Sequence, residues 1–208
     1  YGVLAIVIIG ILGIPASSFI AVLSAAGLTI GLAFQGSLSN FAGGVLILLF
    51  KPFKIGDFVK EDVHGNEGLV EGIDLFYTRM RTFDNKMVII PNGSLANTSI
   101  TNYTANNKRR IEIKVGISYD SDMKRAKDIL MNVINSQDGI LKNEDNKVYV
   151  DALEESQITI GTMAWVMTDD YWKIKWELTE KFKNALDDAG IEIPFNQLSV
   201  TINEKQGK

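Results

Sequence analysis

Two leucines one helical turn apart are the residues of this sequence whose spacing first indicates a function. Leu28 and Leu32 lie in a stretch without charged residues, and Gln35 follows about one turn later. Positions i and i+4 share one face of a helix, so both leucines face the same direction. Where several copies of such a helix surround one axis, two stacked rings of leucine form a narrow apolar constriction that excludes water and ions by dewetting. The pair therefore predicts a pore gate.

Small residues flank the leucine face in two stripes. The stripes consist of Ser24, Gly27 and Gly31 on one side and of Ala21, Ala25 and Thr29 on the other. Small side chains let the backbones of neighbouring helices approach closely, which supplies much of helix packing in lipid. Two such stripes predict two helix neighbours, as in a ring of identical subunits. The alternative interpretation is one tightly packed helix inside a monomeric bundle.

These residues belong to an N-terminal part of the chain that carries no charge. The sequence has 208 residues with 21 Lys and Arg and 25 Asp and Glu, and all of them lie after residue 50. A soluble domain needs a face that meets water, so this stretch predicts a membrane segment. Residues 1–14 are too short to cross about 30 Å of hydrocarbon. We expect them to be the end of a transmembrane helix that begins before Tyr1.

Residues 19–50 are expected to form the pore-lining transmembrane helix. They exceed the roughly 20 residues that one membrane span needs. A bend or break is therefore expected inside them, at the polar island around Gln35 and Gly36, with Gly44 as a second weak point.

The remainder of the chain reads as two domains and a final strand. Short β runs between turn residues predict a middle β domain over residues 51–104. The order β-α-β-β-α-β over residues 105–195 predicts an α+β ferredoxin-like domain. One more alternating strand is expected within residues 196–204. Lysines at positions 51, 54 and 60 follow the apolar helix closely, which indicates that its C-terminal end is cytoplasmic.

The sequence offers little for chemistry of other kinds. It has no cysteine and a single histidine, His64, in a turn before a glycine. Thiolate sites are excluded, and neither a metal site nor a cofactor is expected. No Ser–His–Asp set, phosphate loop or catalytic carboxylate pair is found, so we do not expect an enzyme. The net charge of −4 argues against a nucleic-acid partner. Asp122 reads as a helix N-cap.

The charge-free helix and the segments after it resemble a known family. The quoted motifs are AVLSAAGLTIGLAFQGSLSNFAGGVLILLFKPFKIGD at residues 21–57, RMRT at 79–82, IIPNG at 89–93, YDSD at 119–122 and DAGI at 188–191. Together they resemble the small-conductance mechanosensitive channels, the MscS family. The resemblance covers essentially the whole chain and implies that residues 1–14 are the end of the second transmembrane helix. Ser24, Thr29 and Phe34 depart from the residues that are common in the family at those positions.

The resemblance implies a homoheptamer in the inner membrane of a prokaryotic cell, with its C-terminal domains in the cytoplasm. Membrane tension would open it, and ions and small osmolytes would leave during hypo-osmotic shock. Leu28 and Leu32 would form the two leucine rings of the seal, and Gln35–Gly36 and Gly44 would be helix kinks. The Sm-like β domain and the α/β domain would enclose a hollow vestibule with side portals.

Two alternatives remain at this point. In the family, seven C-terminal strands close a parallel β-barrel, which would involve residues 196–204; the strand would otherwise complete the local ferredoxin-like sheet. The alternative to a channel is a membrane-anchored ligand-binding protein whose helices serve only as a tether.

Overall fold

Two compact units make up the chain, Tyr1–Ala105 and Asn106–Lys208. The computed structural model describes residues 2–11 and 16–198. Within these residues, the first unit contains two apolar helices and a five-stranded sheet. The second contains a three-stranded sheet and two amphipathic helices.

The two apolar helices are α1, Gly2–Ile11, and α2, Ala16–Phe50. Helix α2 begins three residues before the expected start at residue 19, because Ser17 and Ser18 lie in its first turn and not in a loop. It ends at Phe50; the next residue, Lys51, has a left-handed φ of 50°, and its N–H donates to the carbonyl of Ile47 at 2.8 Å. Such a residue closes many helices, and Pro52 cannot continue one.

Helix α2 runs through all 35 of its residues without interruption, so the break expected near Gln35 and Gly36 is not found. Glycine costs about 1 kcal/mol relative to alanine in a helix, but unlike proline it removes no backbone hydrogen bond. The chain therefore stays helical across the polar island and across Gly44. A bend of the helix axis at residues 35–36 stays a prediction.

The β domain is an antiparallel sheet in the order β4-β3-β2-β1-β5. Its elements are β1 Phe58–Glu61, β2 Glu67–Ile73, β3 Tyr77–Arg81, β4 Met87–Pro91, the short helix α3 Asn92–Ala96 and β5 Ile100–Asn102. The sequence predicts short strands over this range, and the structure adds the short helix α3 between β4 and β5.

Side chains from the sheet and from the end of α2 share one core. Its buried residues are Ile47, Phe53, Val59, Val70, Met80, Ile90 and Leu95. Burial alternates along β2 and β3, as expected for strands with one face on a core. Because Ile47 belongs to α2, the last turns of the apolar helix are part of the β domain and not a separate stalk.

The second unit has the predicted order of elements up to its last helix. They are β6 Lys108–Ile117, α4 Met123–Ser136, β7 Lys147–Leu153, β8 Ile158–Met167, a 3-10 turn at Thr168–Asp170 and α5 Tyr171–Asp188. The sheet order is β6-β8-β7 with antiparallel neighbours, so β6 and β7 are parallel and flank β8. Among the described residues, this arrangement matches the first three strands and the two helices of a ferredoxin-like α+β domain.

Caps and core packing fix the helices of this unit. Asp122 is the N-cap of α4, as expected, and its carboxylate accepts from the N–H groups of Lys124 and Arg125. Gly190, with φ of 68°, follows α5. Both helices bury one apolar stripe against the sheet, including Leu130, Ile134, Leu178 and Phe182.

The predicted C-terminal strand lies mostly outside the described residues. Residues 196–198 are described and are irregular, and the side chain of Leu198 is 86% exposed. The strand expected within residues 196–204 stays a prediction, since its proposed partners are other copies of the chain. The remaining residues of the expected strand, 199–204, are not described.

A buried carboxylate organises the turn between β1 and β2. Glu61 is 2% exposed, and its carboxylate accepts from the N–H of Val63 at 2.7 Å and from the N–H of His64 at 3.0 Å. The ring Nδ1 of His64 lies 3.3 Å from the same carboxylate. Burial raises the pKa of Glu61, but the hydrogen bonds from His64 and Val63 together outweigh it and hold the pKa below its usual range.

This turn predicts a contribution to stability that disappears in acid. A carboxyl whose pKa is lowered by folding stabilises the native state above its unfolded pKa, about 4.3, and this contribution is lost as pH falls through the folded pKa. Thermal unfolding should show Glu61→Gln several degrees less stable than the unchanged protein at pH 7, with the difference shrinking toward pH 3. Glu67→Gln, an exposed change on β2, is the control. An equal loss for both variants would contradict this account.

Candidate functional site

Helix α2 is exposed to an extent that the chain alone does not explain. Among the described residues, the helix over Ser17–Phe50 is the one that is long and apolar enough to cross a membrane, with a mean hydropathy of 1.9 in an 18-residue window. From residue 17 to residue 39 almost every side chain is exposed. A helix that is apolar on all sides requires lipid or other helices around it.

The leucine face predicted from the sequence is present on this exposed part. Leu28 and Leu32 are 65% and 62% exposed, and Gln35 is exposed one turn further along. No part of the described chain covers them. The structure therefore places the two leucines together on one helix face that is available to other molecules.

The small-residue stripes are equally open. Ala21, Ser24, Ala25, Gly27, Thr29 and Gly31 are all exposed. A Cβ placed on Gly27, Gly31 or Gly36 would meet no atom within 4 Å, so contacts within the described chain do not require glycine there. The hydroxyl of Thr29 donates to the carbonyl of Ala25 at 2.8 Å, and this bond satisfies its one polar group inside the helix.

The opposite situation holds near the C-terminal end of α2. Gly43 and Gly44 are buried. A Cβ on Gly43 would lie 2.6 Å from the carbonyl oxygen of Asn92, and a Cβ on Gly44 would overlap the carbonyl oxygen of Leu75. The helix backbone thus lies directly on the backbone of the β domain. We call this contact, formed by Asn40, Gly43 and Gly44 with Leu75, Asn92 and Gly93, the helix seat.

Asn92 holds the β-domain side of the helix seat in place. It is fully buried; its Oδ1 accepts from the hydroxyl of Thr78 at 2.8 Å, and its Nδ2 donates to the carbonyl of Asp74 at 2.8 Å. Its N–H donates to the carbonyl of Phe76 at 2.9 Å. These bonds tie the start of α3 to the loop before β3. The surface that meets Gly43 and Gly44 is therefore rigid.

A direct hydrogen bond extends the helix seat toward the N-terminus of α2. The N–H of Gly93 donates to Oδ1 of Asn40 at 2.9 Å. One residue on, the rings of Phe41 and Phe76 have centroids 6.1 Å apart. The sequence placed Asn40 at the end of the polar island that begins at Gln35 but did not predict this contact, although an amide in an otherwise apolar helix is a usable signal.

The helix seat changes the interpretation of Gly44. A glycine in a helix predicts a weak point, but the surroundings of Gly44 leave no room for any side chain. In this structure, close contact between the helix backbone and the β domain explains why position 44 is a glycine. A role for Gly44 as a kink stays a prediction.

Other candidate chemistry is not assembled among the described residues. In that part of the chain, no three or more His, Cys, Asp or Glu side chains converge to hold a metal ion. The side chain of His64 is 71% exposed and its one ion-pair partner is Glu61.

An exposed apolar helix that ends inside an antiparallel β domain, followed by an α+β unit, is typical of a membrane protein with a large polar C-terminal part. Comparison with known proteins identifies the family. Residues 36–105 match the family model described as "Mechanosensitive ion channel, beta-domain". Residues 111–193 match "Mechanosensitive ion channel MscS, C-terminal".

Individual relatives agree with the family models. The chain is 42% identical to an uncharacterized MscS family protein of Buchnera aphidicola, over 95% of this chain and 69% of that protein. It is 42% identical to the small-conductance mechanosensitive channel of Edwardsiella ictaluri, over 85% of this chain and 61% of that channel.

A solved structure agrees in both sequence and fold. The crystal structure of Helicobacter pylori MscS in its closed state superimposes with a TM-score of 0.88 and 34% identity, covering 96% of this chain and 79% of that one. Arabidopsis thaliana MSL1, at 19% identity and a TM-score of 0.75 over 88% of this chain and 68% of that one, shares the fold. The chain belongs to the MscS family of mechanosensitive ion channels, and the resemblance inferred from its sequence is confirmed.

Gly44→Ala tests the helix seat. The added methyl group would overlap backbone on the β domain, and overpacking of this kind costs roughly 1–3 kcal/mol. Thermal unfolding in detergent should therefore show a less stable protein. The matched control is Gly36→Ala in the same helix, where the Cβ meets nothing in the described chain. It should stabilise the helix by up to about 1 kcal/mol. The same sign of change in both variants would contradict close packing at Gly44.

Proposed function

We propose that this chain forms the pore and the cytoplasmic part of a homoheptameric channel in the inner membrane of a prokaryotic cell. The channel opens under membrane tension and releases ions and small osmolytes during hypo-osmotic shock. The observation that carries the proposal is the contrast within α2, which is exposed and apolar up to Ser39 and is joined to the β domain from Asn40 onward.

The exposed part of α2 has the surfaces that a ring of helices needs. Glycines 27 and 31 serve no contact within the described chain, and close contact between neighbouring helices in lipid supplies a reason for them. Each subunit then contacts one neighbour with the stripe that contains Ser24 and the other with the stripe that contains Ala25. Leu28 and Leu32, between the stripes, face the axis of the ring.

The gate in this proposal is a barrier to wetting. Two rings of leucine narrow the axis, and the absence of polar groups there makes a continuous column of water unfavourable. Tension favours a state in which the helices lie further apart, so that the ring widens and water enters. Because α2 carries no charged residue, the pore itself discriminates weakly between ions.

The helix seat supplies the connection between gate and cytoplasmic part. Residues 40–50 move with the β domain, since Gly43, Gly44 and Ile47 are buried against it. The leucines lie on the part of α2 that has no such attachment. A change of tilt must therefore be absorbed between Leu32 and Asn40, a segment that includes Gln35 and Gly36. This is the physical reason to retain a kink there as a proposal.

Lysines at the end of α2 support the proposed orientation. Lys51 and Lys54 follow the helix directly, and positive charge next to a span is typical of its cytoplasmic side. Both folded units come after this point in the chain. They would therefore lie in the cytoplasm.

Leu32→Ser tests the gate. A leucine side chain kept out of water is worth about 1.5–3 kcal/mol, and the change is repeated in every subunit. The full-length protein in liposomes should open at clearly lower tension in patch-clamp recordings under graded suction. Ile30→Ser is the control, because that residue lies roughly 200° around the helix from Leu32. A threshold equal to that of the unchanged protein would place the gate elsewhere.

Truncation after Phe195 tests the proposed C-terminal barrel. Seven identical strands can close a parallel barrel that leaves no unpaired edge. The truncated protein should fold but yield fewer or less heat-stable heptamers, measured by native mass spectrometry after graded heating. Removal of residues 205–208 alone is the control, since it leaves the expected strand complete. Heptamers of unchanged yield and heat stability would exclude the barrel.

A further inference from the structure

A polar cleft lies in the second unit between the C-terminal end of α4 and the first half of α5. Its volume is 380 Å³. The side chains that bear on its chemistry are Gln137, Asp138, Asp170, Lys173, Glu177 and Lys181. Liquid water takes up about 30 Å³ per molecule, so the cleft holds on the order of a dozen waters, or one amino-acid-sized solute with several waters.

Gln137 gives the floor of the cleft a fixed polarity. It is 4% exposed, its Nε2 donates to Oε2 of Glu177 at 2.7 Å, and its Oε1 accepts from Nζ of Lys181 at 2.7 Å. Glu177 and Lys181 are four residues apart on α5, a spacing at which such side chains ordinarily pair with each other. Here the amide lies between them and holds the negative and the positive group apart.

The rim of the cleft carries charges that have no partner in the described chain. The side chains of Lys173, Asp138 and Asp170 form neither an ion pair nor a hydrogen bond with any described residue. Asp170 is the N-cap residue of α5, yet its side chain makes no capping bond. The rim therefore offers unpaired charges of both signs, whereas Glu177 and Lys181 on the floor are already hydrogen-bonded to Gln137.

This arrangement favours one class of ligand. The three carboxylates do not converge to hold a metal ion, and two lysines lie among them. A simple anion would meet more negative than positive groups. A solute with both an ammonium and a carboxylate group can meet both signs, through charge-assisted hydrogen bonds or close ionic contact.

We propose that this cleft binds a small zwitterionic solute of the class of amino acids and betaines. Lys173 contacts its carboxylate, and Asp170 contacts its ammonium group. Gln137 is a positioning residue that holds Glu177 and Lys181 apart. The proposal is independent of the pore, because every residue of the cleft lies in the second unit.

Ligand-observed NMR on the full-length protein in detergent tests this site. Glycine betaine and L-proline are the probes, and saturation transfer from protein to their protons is measured over a concentration series. Loss of one ionic contact between solvent-exposed charges corresponds to a weakening of roughly two- to fivefold. Lys173→Gln and Asp170→Asn should each weaken binding by that factor. Both residues are exposed, so neither change disturbs the core.

The control is Lys183→Gln on the same helix. Lys183 pairs with Asp187 and does not line the cleft, so this variant should bind as the unchanged protein does. Absence of saturation transfer, equal transfer to sucrose, or equal affinity in all three variants would each overturn the proposal. Displacement of the probes by an equal concentration of sodium chloride would do the same, since it would show a site for simple ions. None of these results depends on channel opening.

Discussion

The contact between the backbone of α2 and the backbone of the β domain is the constraint on which the first unit depends. At Gly43 and Gly44 the helix lies so close to Leu75 and Asn92 that no side chain fits between them. Such an approach is available only where both surfaces are held rigidly. Asn92 provides this on the β-domain side through bonds made by its side chain and main chain, and the helical hydrogen bonds of α2 provide it on the other. The helix seat thus turns an apolar helix and a small sheet into one body.

The same contact divides α2 into two parts with different surroundings. From Asn40 to Phe50, the β domain contacts the helix on one side, and Ile47 belongs to the core of that domain. Before Asn40, no described residue covers the helix, and an apolar surface of this size is not stable in water unless lipid or another protein covers it. The glycines of the two parts also differ. Those of the seat are required by atoms that are present, whereas Gly27 and Gly31 are open within the chain.

Much of this architecture could be predicted from the sequence because its signals are local. The absence of charge over residues 1–50 indicates the apolar helices, and alternation along residues 111–117 indicates β6. Asp122 was correctly predicted as a cap because capping involves residues within one turn. The family followed from motifs that cover most of the chain.

The parts that were missed depend on residues far apart in sequence. The bond between Asn40 and Gly93 joins positions 53 residues apart, and no periodicity along one segment reveals it. Leu75 and Asn92 set the space around Gly44. Because both are distant in sequence, the sequence alone suggests flexibility at this glycine and not close packing. The helix stayed continuous at Gly36 because a low helix propensity weakens a helix without breaking its hydrogen bonds.

The left-handed residue at the end of α2 has a mechanical consequence. Glycine adopts such a conformation most easily, yet this chain has Lys51 there, with φ of 50° and with Pro52 directly after it. The position thus carries a cation at the negative end of the helix dipole, where it is favourable. In a bilayer that cation resists entry into hydrocarbon, as does Lys54 three residues later. Together they limit how far this end of the helix can enter the bilayer, so a bilayer thinner than the apolar stretch favours tilt over sliding along the membrane normal.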